Sequence, residues 1–235
     1  MMMRLDKYLS DLGIATRKEI RQIVKAGRVS VDGSCASAPD QKIDPEINTV
    51  TLDGEKLSYR RFRYFAMDKP VGVLTASVDR KQKTVLDLVP EEFRHLGLFP
   101  VGRLDKDTSG LLLLTNDGEF AHKVISPRYE IPKRYYAETE GVTDERDIEA
   151  FARGLELRDG FQCRSAELFP SGGKSCEVIV REGKYHQVRR MLAAVGKPVA
   201  VLRRLSIGAL KLDKLPLKEG FCELSREQLE LIFIK

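Results

Sequence analysis

The stretch Gly102–Gly118, GRLDKDTSGLLLLTNDG, joins a charged segment to an apolar one. Arginine, aspartate and lysine crowd its first half, and the four consecutive leucines Leu111–Leu114 follow. An apolar run this short is typical of a strand inside a core and cannot span a membrane. The segment Asn116–Gly118 then predicts an Asp-Gly turn that ends the strand. The pattern therefore places charged side chains, among them Asp105, at the edge of a buried strand.

The length and composition of the chain are those of a soluble protein with a sizeable core. Its 235 residues, 42% of them hydrophobic, allow one large domain with a small appendage. The 40 basic and 35 acidic residues leave a net charge of only +5, so the location of each sign is what matters. The four cysteines form no C-x-x-C pair, which disfavours both a zinc site and a disulfide framework. With no signal-peptide or membrane-span pattern, we expect a cytoplasmic protein without membrane association.

The first segment of the chain predicts two helices followed by a hairpin. Apolar residues keep helical spacing from Leu5 to Leu12, and Thr16 with Glu19 forms a capping box for the second helix. Basic residues recur on that helix and continue into the hairpin: Arg17, Arg21, Lys25 and Arg28. A basic ridge of this kind is most often a solvated surface, and it also suits the phosphates of a nucleic acid.

The rest of the chain predicts a second, larger domain. Residues 40–61 are rich in Pro, Asp, Asn and Gly and end in arginines, which indicates a linker and a boundary near residue 60. Short strand-like segments then outnumber helices, and Thr143 is expected to cap one of the helices. We therefore predict an α+β protein in which residues 1–60 form a small domain with its linker. Residues 61–235 would form a mixed, largely antiparallel sheet flanked by helices.

Three kinds of side chain in the larger domain suit an enzyme that acts on one nucleobase. Such chemistry needs a carboxylate, a cation that orients and ionises it, and a ring on which the extruded base stacks. The candidates are, in that order, Asp105 or Asp107, Arg189 or Arg190, and Tyr135 or Tyr136. Each has a structural alternative, because loop aspartates usually form turns or ion pairs and strand tyrosines often belong to the core.

Three motifs within residues 3–50 carry a resemblance to the S4 RNA-binding module: R-L-D-K-Y-L, T-R-K-E-I-R-Q-I-V-K-A-G and R-V-x-V-D-G. The resemblance implies a small αL-like domain that docks on structured RNA. It also implies that four cations face RNA phosphates: Arg17, Arg21, Lys25 and Arg28. Contacts of this type contribute affinity without sequence information, so we expect this domain to dock and not to choose the base.

Five spaced motifs carry a second resemblance, over residues 62–235. They are D-K-P-V-G-V-L, G-R-L-D-K-D-T-S-G-L-L-L-L-T-N-D-G, K-R-Y, E-G-K-Y-H-Q-V-R-R-M and L-R-R-L-S-I-G. Together they resemble the RsuA branch of the pseudouridine synthases. The family implies conversion of one uridine of ribosomal RNA to pseudouridine, with no metal and no cofactor. We expect a monomer whose partner is ribosomal RNA or a pre-ribosomal particle.

The same resemblance assigns site residues. Asp105 would attack the target nucleotide, through a covalent adduct or a glycal, so that uracil leaves N1, rotates and rejoins through C5. Arg103 would fill the space that the base vacates or hold the backbone there. Tyr135 would pack on the flipped uracil, and Arg189 would pair with Asp105. Tyr136 is then structural, and His186 is RNA-facing or structural.

The substrate follows from smaller features. The S-P-R segment and Y-H-Q-V-R-R-M favour 16S RNA of the small ribosomal subunit. A 23S RNA enzyme of the same family is the alternative. A catalytically silent S4-type assembly factor is a third reading, which the joint presence of Asp105, Tyr135 and Arg189 disfavours.

Overall fold

The computed structural model describes residues 2–235, whose contacts divide the chain into two compact units. The first contains the residues up to Arg63 together with Val89–Leu98, and the second contains Tyr64–Leu88 and Phe99–Lys235. The boundary near residue 60 stays a prediction, and local sequence patterns did not indicate that Val89–Leu98 joins the first unit. Within residues 2–235, no helix combines the length and apolar character that crossing a membrane requires.

The first unit consists of two helices and short antiparallel strands. Strands β1 and β4 pair, and β3, β2, β5 and β6 form a second sheet in that order. The elements are β1 Met3–Arg4, α1 Leu5–Asp11, α2 Arg17–Lys25, β2 Val29–Val31, β3 Ser34–Cys35, β4 Lys42–Ile43, β5 Val50–Leu52, β6 Glu55–Lys56 and a 3-10 helix at Glu91–Leu96.

Local signals in this unit behave as expected. The capping box of α2 is confirmed, because Thr16 Oγ1 accepts from the Glu19 amide and Glu19 Oε2 accepts from the Thr16 amide at 2.9 Å. The hairpin β2–β3 is also confirmed, with Asp32 and Gly33 both at positive φ in the two-residue loop. Because the apolar face of α2 is buried at Ile20 and Val24, its basic face is left in solvent.

The second unit is a nine-stranded sheet flanked by helices. The strand order is β11-β12-β10-β13-β9-β7-β15, with β14 paired to β13 and β8 to β9. The elements are β7 Tyr64–Lys69, β8 Phe99–Val101, β9 Thr108–Thr115, α3 Gly118–Ile125, β10 Lys133–Thr139, α4 Glu145–Arg153, β11 Glu167–Gly172, β12 Ser175–Val180, α5 Gln187–Ala194, β13 Val199–Ile207, β14 Leu210–Lys211, β15 Phe221–Glu223 and α6 Arg226–Leu231, with 3-10 helices at Val85–Leu88 and Leu212–Lys214. Among the described strands of this sheet, only β9 and β13 pair in parallel, which confirms the predicted mixed, largely antiparallel sheet.

The four leucines form the centre of this sheet. Each of Leu111–Leu114 is at most 1% exposed, because β9 lies between β7 and β13 with both faces covered. Leu111 and Leu113 belong to an apolar cluster that includes Ala121 and Ile207, and alternation sends the other two leucines to the opposite face. The strand begins at Thr108, so the charged loop that carries Asp105 is attached directly to a buried strand.

Two predictions at helix starts differ from the structure in detail. Asp117, predicted to lie in an Asp-Gly turn that ends the strand, is the N-cap of α3, because its Oδ1 accepts from the Glu119 and Phe120 amides. Asp144, not Thr143, caps α4 through the amides of its first turn. In both places an aspartate reaches the unpaired amides at the helix start, which a carboxylate satisfies well.

Candidate active site

Asp105 lies in a loop that borders a cavity of about 130 Å³. The loop joins β8 to β9, and the side chain of Asp105 is 28% exposed. The cavity is lined by side chains from the loop, from strands β9, β10 and β13 and from the segment before α5, among them Arg103, Thr108, Lys133, Tyr135, Glu182, His186 and Arg204. Three of the four predicted active-site residues therefore share one cavity, namely Asp105, Arg103 and Tyr135.

Lys69 anchors the Asp105 loop through hydrogen bonds to backbone carbonyls. This lysine, at the end of β7, is fully buried, and its Nζ donates to the carbonyl oxygens of Pro70 at 3.0 Å, Asp105 at 3.1 Å and Thr108 at 2.9 Å. Desolvation lowers the pKa of Lys69 to about 8, against the opposing effect of the negative charges of Asp105 and Asp107. Sequence reasoning missed this residue. The available signal was a lysine directly before Pro70, two residues after the apolar run at 65–67.

Two further contacts brace the same loop. Thr75 Oγ1 donates to the Leu104 carbonyl at 2.6 Å and accepts from the Leu104 amide at 3.2 Å. The Gly72 amide donates to the Lys106 carbonyl at 2.7 Å. The segment that follows β7 therefore supports the backbone on both sides of Asp105.

The partner of the Asp105 carboxylate is His186. Its Nε2 lies 3.3 Å from Asp105 Oδ1, and its ring stacks on Tyr185 with centroids 3.9 Å apart. His186 is the N-cap of α5 and has left-handed backbone angles, φ 48° and ψ 32°. A non-glycine residue in this conformation is uncommon and concentrates at functional sites. His186, which the sequence left without a catalytic role, thus faces the candidate nucleophile.

The expected pair of Arg189 with Asp105 is wrong in this structure. Arg189 Nη2 binds Asp107 Oδ2 at 2.9 Å and the Asp107 carbonyl at 3.1 Å, and Nη1 binds the Val199 carbonyl at 3.2 Å. Arg190, the other candidate cation, pairs with Asp159. Arg189 therefore anchors the far end of the Asp105 loop to α5. Two aspartates two residues apart offer one guanidinium equivalent partners, and motif position cannot distinguish them.

Tyr135 lies beside a buried arginine on the adjacent strand. Arg204 of β13 donates from Nη1 to the Tyr135 hydroxyl at 3.4 Å and from Nε to the Leu111 carbonyl at 2.7 Å. Arg204 is 4% exposed, and its Nη2 has no hydrogen-bond partner within residues 2–235. The L-R-R-L-S-I-G motif contains this residue, but nothing in its local pattern separated it from Arg203.

Lys133 is a second buried cation in the cavity. It is 8% exposed, and its Nζ forms no hydrogen bond or ion pair with any residue in 2–235. Desolvation, followed by the positive charge of Arg204, lowers the pKa of Lys133 to about 8. Two cations that form no ion pair within residues 2–235 therefore border a cavity that also holds the Asp105 carboxylate.

In the first unit, the predicted RNA-facing cations do not form one uniform set. Arg17, Arg21 and Lys25 are exposed on α2, and Arg21 and Lys25 line a groove of about 350 Å³ with Arg4. Arg28 instead makes a bidentate pair with Asp53, with Nε to Oδ1 at 2.9 Å. The helix therefore presents exposed positive charge, while Arg28 in the hairpin is paired with Asp53.

Similarity to known proteins agrees with this architecture. The family model for RNA pseudouridylate synthase matches residues 63–194, and the model for the S4 domain matches residues 3–46. The uncharacterized RNA pseudouridine synthase YtzG of Bacillus subtilis (strain 168) is 42% identical over 234 residues, which cover 98% of each chain. A crystal structure of a pseudouridylate synthase matches with a TM-score of 0.67 and 28% identity, covering 98% of this chain and 99% of the other.

Two further relatives carry names that specify a ribosomal subunit. The ribosomal small subunit pseudouridine synthase A of Pseudomonas aeruginosa is 36% identical over 216 residues, which cover 90% of this chain and 92% of the relative. The ribosomal large subunit pseudouridine synthase B of Bacillus subtilis (strain 168) is 35% identical over 218 residues, which cover 90% and 88%. The chain belongs to the RNA pseudouridine synthase family and carries an S4 domain at its N-terminal end.

Proposed function

We propose that this enzyme converts a specific uridine of ribosomal RNA to pseudouridine, with Asp105 as the nucleophile. The observation that carries the proposal is the position of Asp105 on a braced loop at a cavity that also holds an aromatic ring and buried cations. An enzyme must extrude a base before it can react with it, and Tyr135 offers a face on which the extruded base stacks.

The reaction is an isomerisation, so no atom is gained or lost. The N1–C1′ bond of the target nucleotide breaks, the uracil turns, and a C5–C1′ bond forms. The proton on C5 is released, and N1 takes up a proton. Asp105 attacks the nucleotide, His186 lies next to its carboxylate, and Lys69 fixes the backbone on which the carboxylate is carried. Arg103, exposed at the cavity, is the candidate to occupy the space left by the base.

Arg189 supports the site through the loop. Its contacts with Asp107 and Val199 tie α5 and β13 to the residues that follow Asp105. We keep it among the residues that organise substrate binding, with Asp107 as its partner instead of Asp105.

We propose 16S RNA of the small subunit as the substrate, with 23S RNA as the second candidate. The S-P-R segment at Ser126–Arg128 and the Y-H-Q-V-R-R-M motif favour the first. The relative named for the large subunit supports the second equally by identity, at 35% against 36% for the relative named for the small subunit. In both cases the exposed cations Arg17, Arg21 and Lys25 would bind RNA phosphates.

The test maps pseudouridine directly. Unmodified 16S and 23S transcripts and pre-ribosomal particles are incubated with the wild type and with Asp105→Ala, and pseudouridine is located by carbodiimide-dependent stops in primer extension. We expect one new stop in 16S RNA with the wild type and a loss of roughly 10⁴-fold or more in Asp105→Ala. A stop only in 23S RNA would replace the small-subunit assignment. Identical maps for both proteins on every RNA would overturn the proposed function.

A further inference from the structure

The cavity beside Asp105 contains polar groups that no other group in residues 2–235 satisfies. Arg204 Nη2 and Thr108 Oγ1 are buried there without a hydrogen-bond partner, and both residues line this cavity. Lys133 lines it as well and has no acceptor in the same part of the chain. Leaving buried donors unpaired is costly, so such groups in a native protein point to a ligand that satisfies them.

The size of the cavity restricts that ligand. Its volume is about 130 Å³, and cavities of about 150 Å³ are known to hold benzene, a single six-membered ring. A whole nucleotide does not fit in such a space, whereas the ring of uracil does. The ring also carries two carbonyl oxygens, which accept hydrogen bonds and carry no proton of their own.

The position of the Asp105 carboxylate distinguishes the base from a phosphate. Cations in the lining would attract a phosphate, but the space next to Asp105 repels an anion. A neutral uracil is not repelled, and it becomes negative only as the reaction proceeds. Cleavage of the N1–C1′ bond leaves the bonding pair on the ring, and addition of the carboxylate to C6 also sends electrons into the ring. In both routes the charge is delocalised onto the carbonyl oxygens.

We infer that Lys133 and Arg204 donate hydrogen bonds to the carbonyl oxygens of the flipped uracil and stabilise the negative charge that the ring acquires. This inference rests on the proposed function. It assigns to these two residues a role in binding the base and stabilising its charge. The carboxylate of Asp105 and the ring of Tyr135 do not supply that role. Donors that are fixed in position before the reaction act strongly on charge that develops beside them.

The strand geometry explains why these two cations face the cavity together. Lys133 pairs with Ile207 across β10 and β13, and Tyr135 pairs with Arg204. Residues two apart on a strand share a face, so Lys133 and Tyr135 point to the same side as Arg204. Arg134 and Arg203 are their neighbours in sequence but point to the opposite face, where each has an acidic partner. They provide matched controls.

The experiment compares Lys133→Met and Arg204→Met with Arg134→Met and Arg203→Met. A short RNA around the mapped target is prepared with uridine, 2-thiouridine or 4-thiouridine at the target position, because sulfur accepts hydrogen bonds more weakly than oxygen. Single-turnover rate constants and RNA affinities are measured. We expect each cavity variant to lower the rate constant by about 10²-fold, with affinity changed less than about threefold, and the controls to stay near the wild type.

The sulfur substitutions give the decisive readout. One of them should slow the wild type, and this slowing should shrink in the variant that lacks the corresponding donor. An equal slowing in the wild type and in both cavity variants would overturn the inference. So would variants whose effect disappears when the target phosphate carries a neutral methylphosphonate, because that result would make the phosphate the partner of the cations.

The controls keep this test separate from the proposed function and from folding. If the wild type forms no pseudouridine, the proposed function fails. If the wild type is active, Asp105→Ala is inactive and the cavity variants match the wild type, only the present inference fails. Arg204→Met removes the donor to the Leu111 carbonyl and has a folding risk. Thermal unfolding is therefore measured for all variants, and Lys133→Met, which breaks no hydrogen bond within residues 2–235, carries the test alone if Arg204→Met does not fold.

Discussion

The two faces of strands β10 and β13 carry the same residue types in opposite states. On one face, Lys133 and Arg204 are buried beside Asp105, and neither forms an ion pair within residues 2–235. On the other, Arg134 pairs with Glu177, and Arg203 binds Asp68 at 2.6 Å beside an open cleft of about 760 Å³. The first face is costly to fold and the second is not. A protein keeps uncompensated cations in a core where a ligand uses them, so the contrast marks the functional face.

The largest effect is expected from a substitution that forces β13 away from β9. Gly110 has φ +104°, and a Cβ there would lie 2.2 Å from the Arg204 carbonyl oxygen. Gly110→Ala should therefore lower the free energy of unfolding by roughly 4 kcal/mol or more and abolish activity. Gly118→Ala is the control, since a Cβ added at Gly118 would meet no described atom within 4 Å. Equal denaturation midpoints for the two variants would contradict the close approach of the strands.

A second prediction concerns Lys69, a buried cation that backbone carbonyls satisfy. Lys69→Met leaves the carbonyls of Pro70, Asp105 and Thr108 without their donor and should cost about 3 kcal/mol of unfolding free energy. Activity should fall as well, because the Asp105 loop loses its anchor. Lys106→Met, on the same loop but exposed, should change stability by less than about 0.5 kcal/mol. Chemical denaturation measures both, and a stable Lys69→Met would remove the anchoring role.

The cations of α2 differ from the cations of the cavity, because they are solvated instead of buried. Arg17→Ala, Arg21→Ala and Lys25→Ala together should weaken RNA binding by about 10-fold to 100-fold and reduce the salt slope of log K by about 2 to 3. Arg28→Ala should have a smaller effect, because Asp53 already neutralises Arg28. Filter binding over a series of salt concentrations measures both slopes. An unchanged slope in the triple variant would exclude phosphate contacts by α2.

The smallest expected effect is a shift of the pH profile. The folded-state pKa of Lys133, about 8, lies below its ordinary value of 10.5 because of desolvation and Arg204. As the pH rises, Lys133 therefore loses its proton at a lower pH in the folded protein than in the unfolded chain. The contribution of Lys133 to stability therefore rises with pH between these values, while activity that needs the ammonium group falls. The charged or titratable groups that line the same cavity are Asp105, Arg103, Tyr135, Glu182, Lys184, His186 and Arg204.

Lys133→Arg separates this titration from the others. An arginine stays protonated, so the decline of the single-turnover rate above about pH 8 should move upward by about one unit or more. The decline that remains would then come from other groups, of which Lys69 is one, since its pKa is also about 8. Rates between about pH 7 and pH 9.5 test this, and superimposable profiles for the two proteins would rule out Lys133 as the titrating group.

Features that depend on neighbouring residues were predictable from the sequence. The burial of Leu111–Leu114, the capping box at Thr16 and the α+β sheet all follow from apolar runs, strand alternation and short-range hydrogen bonds. The placement of Asp105 and Tyr135 at one cavity also agrees with the motifs. These signals are local because the physical interactions behind them join residues a few positions apart.

The sequence by itself determined the fold class, the family and the candidate nucleophile. Only the tertiary structure decided which cation meets which group: Arg189 binds Asp107, His186 lies beside Asp105, and Lys69 holds the loop. Aspartates two residues apart and adjacent arginines are equivalent in local pattern. For Arg203 and Arg204, the pairing of β13 with the distant strand β10 decides which side chain enters the cavity. Burial and the lack of a partner at Arg204 Nη2 within residues 2–235 arise from that pairing, so they have no signature in the sequence around it.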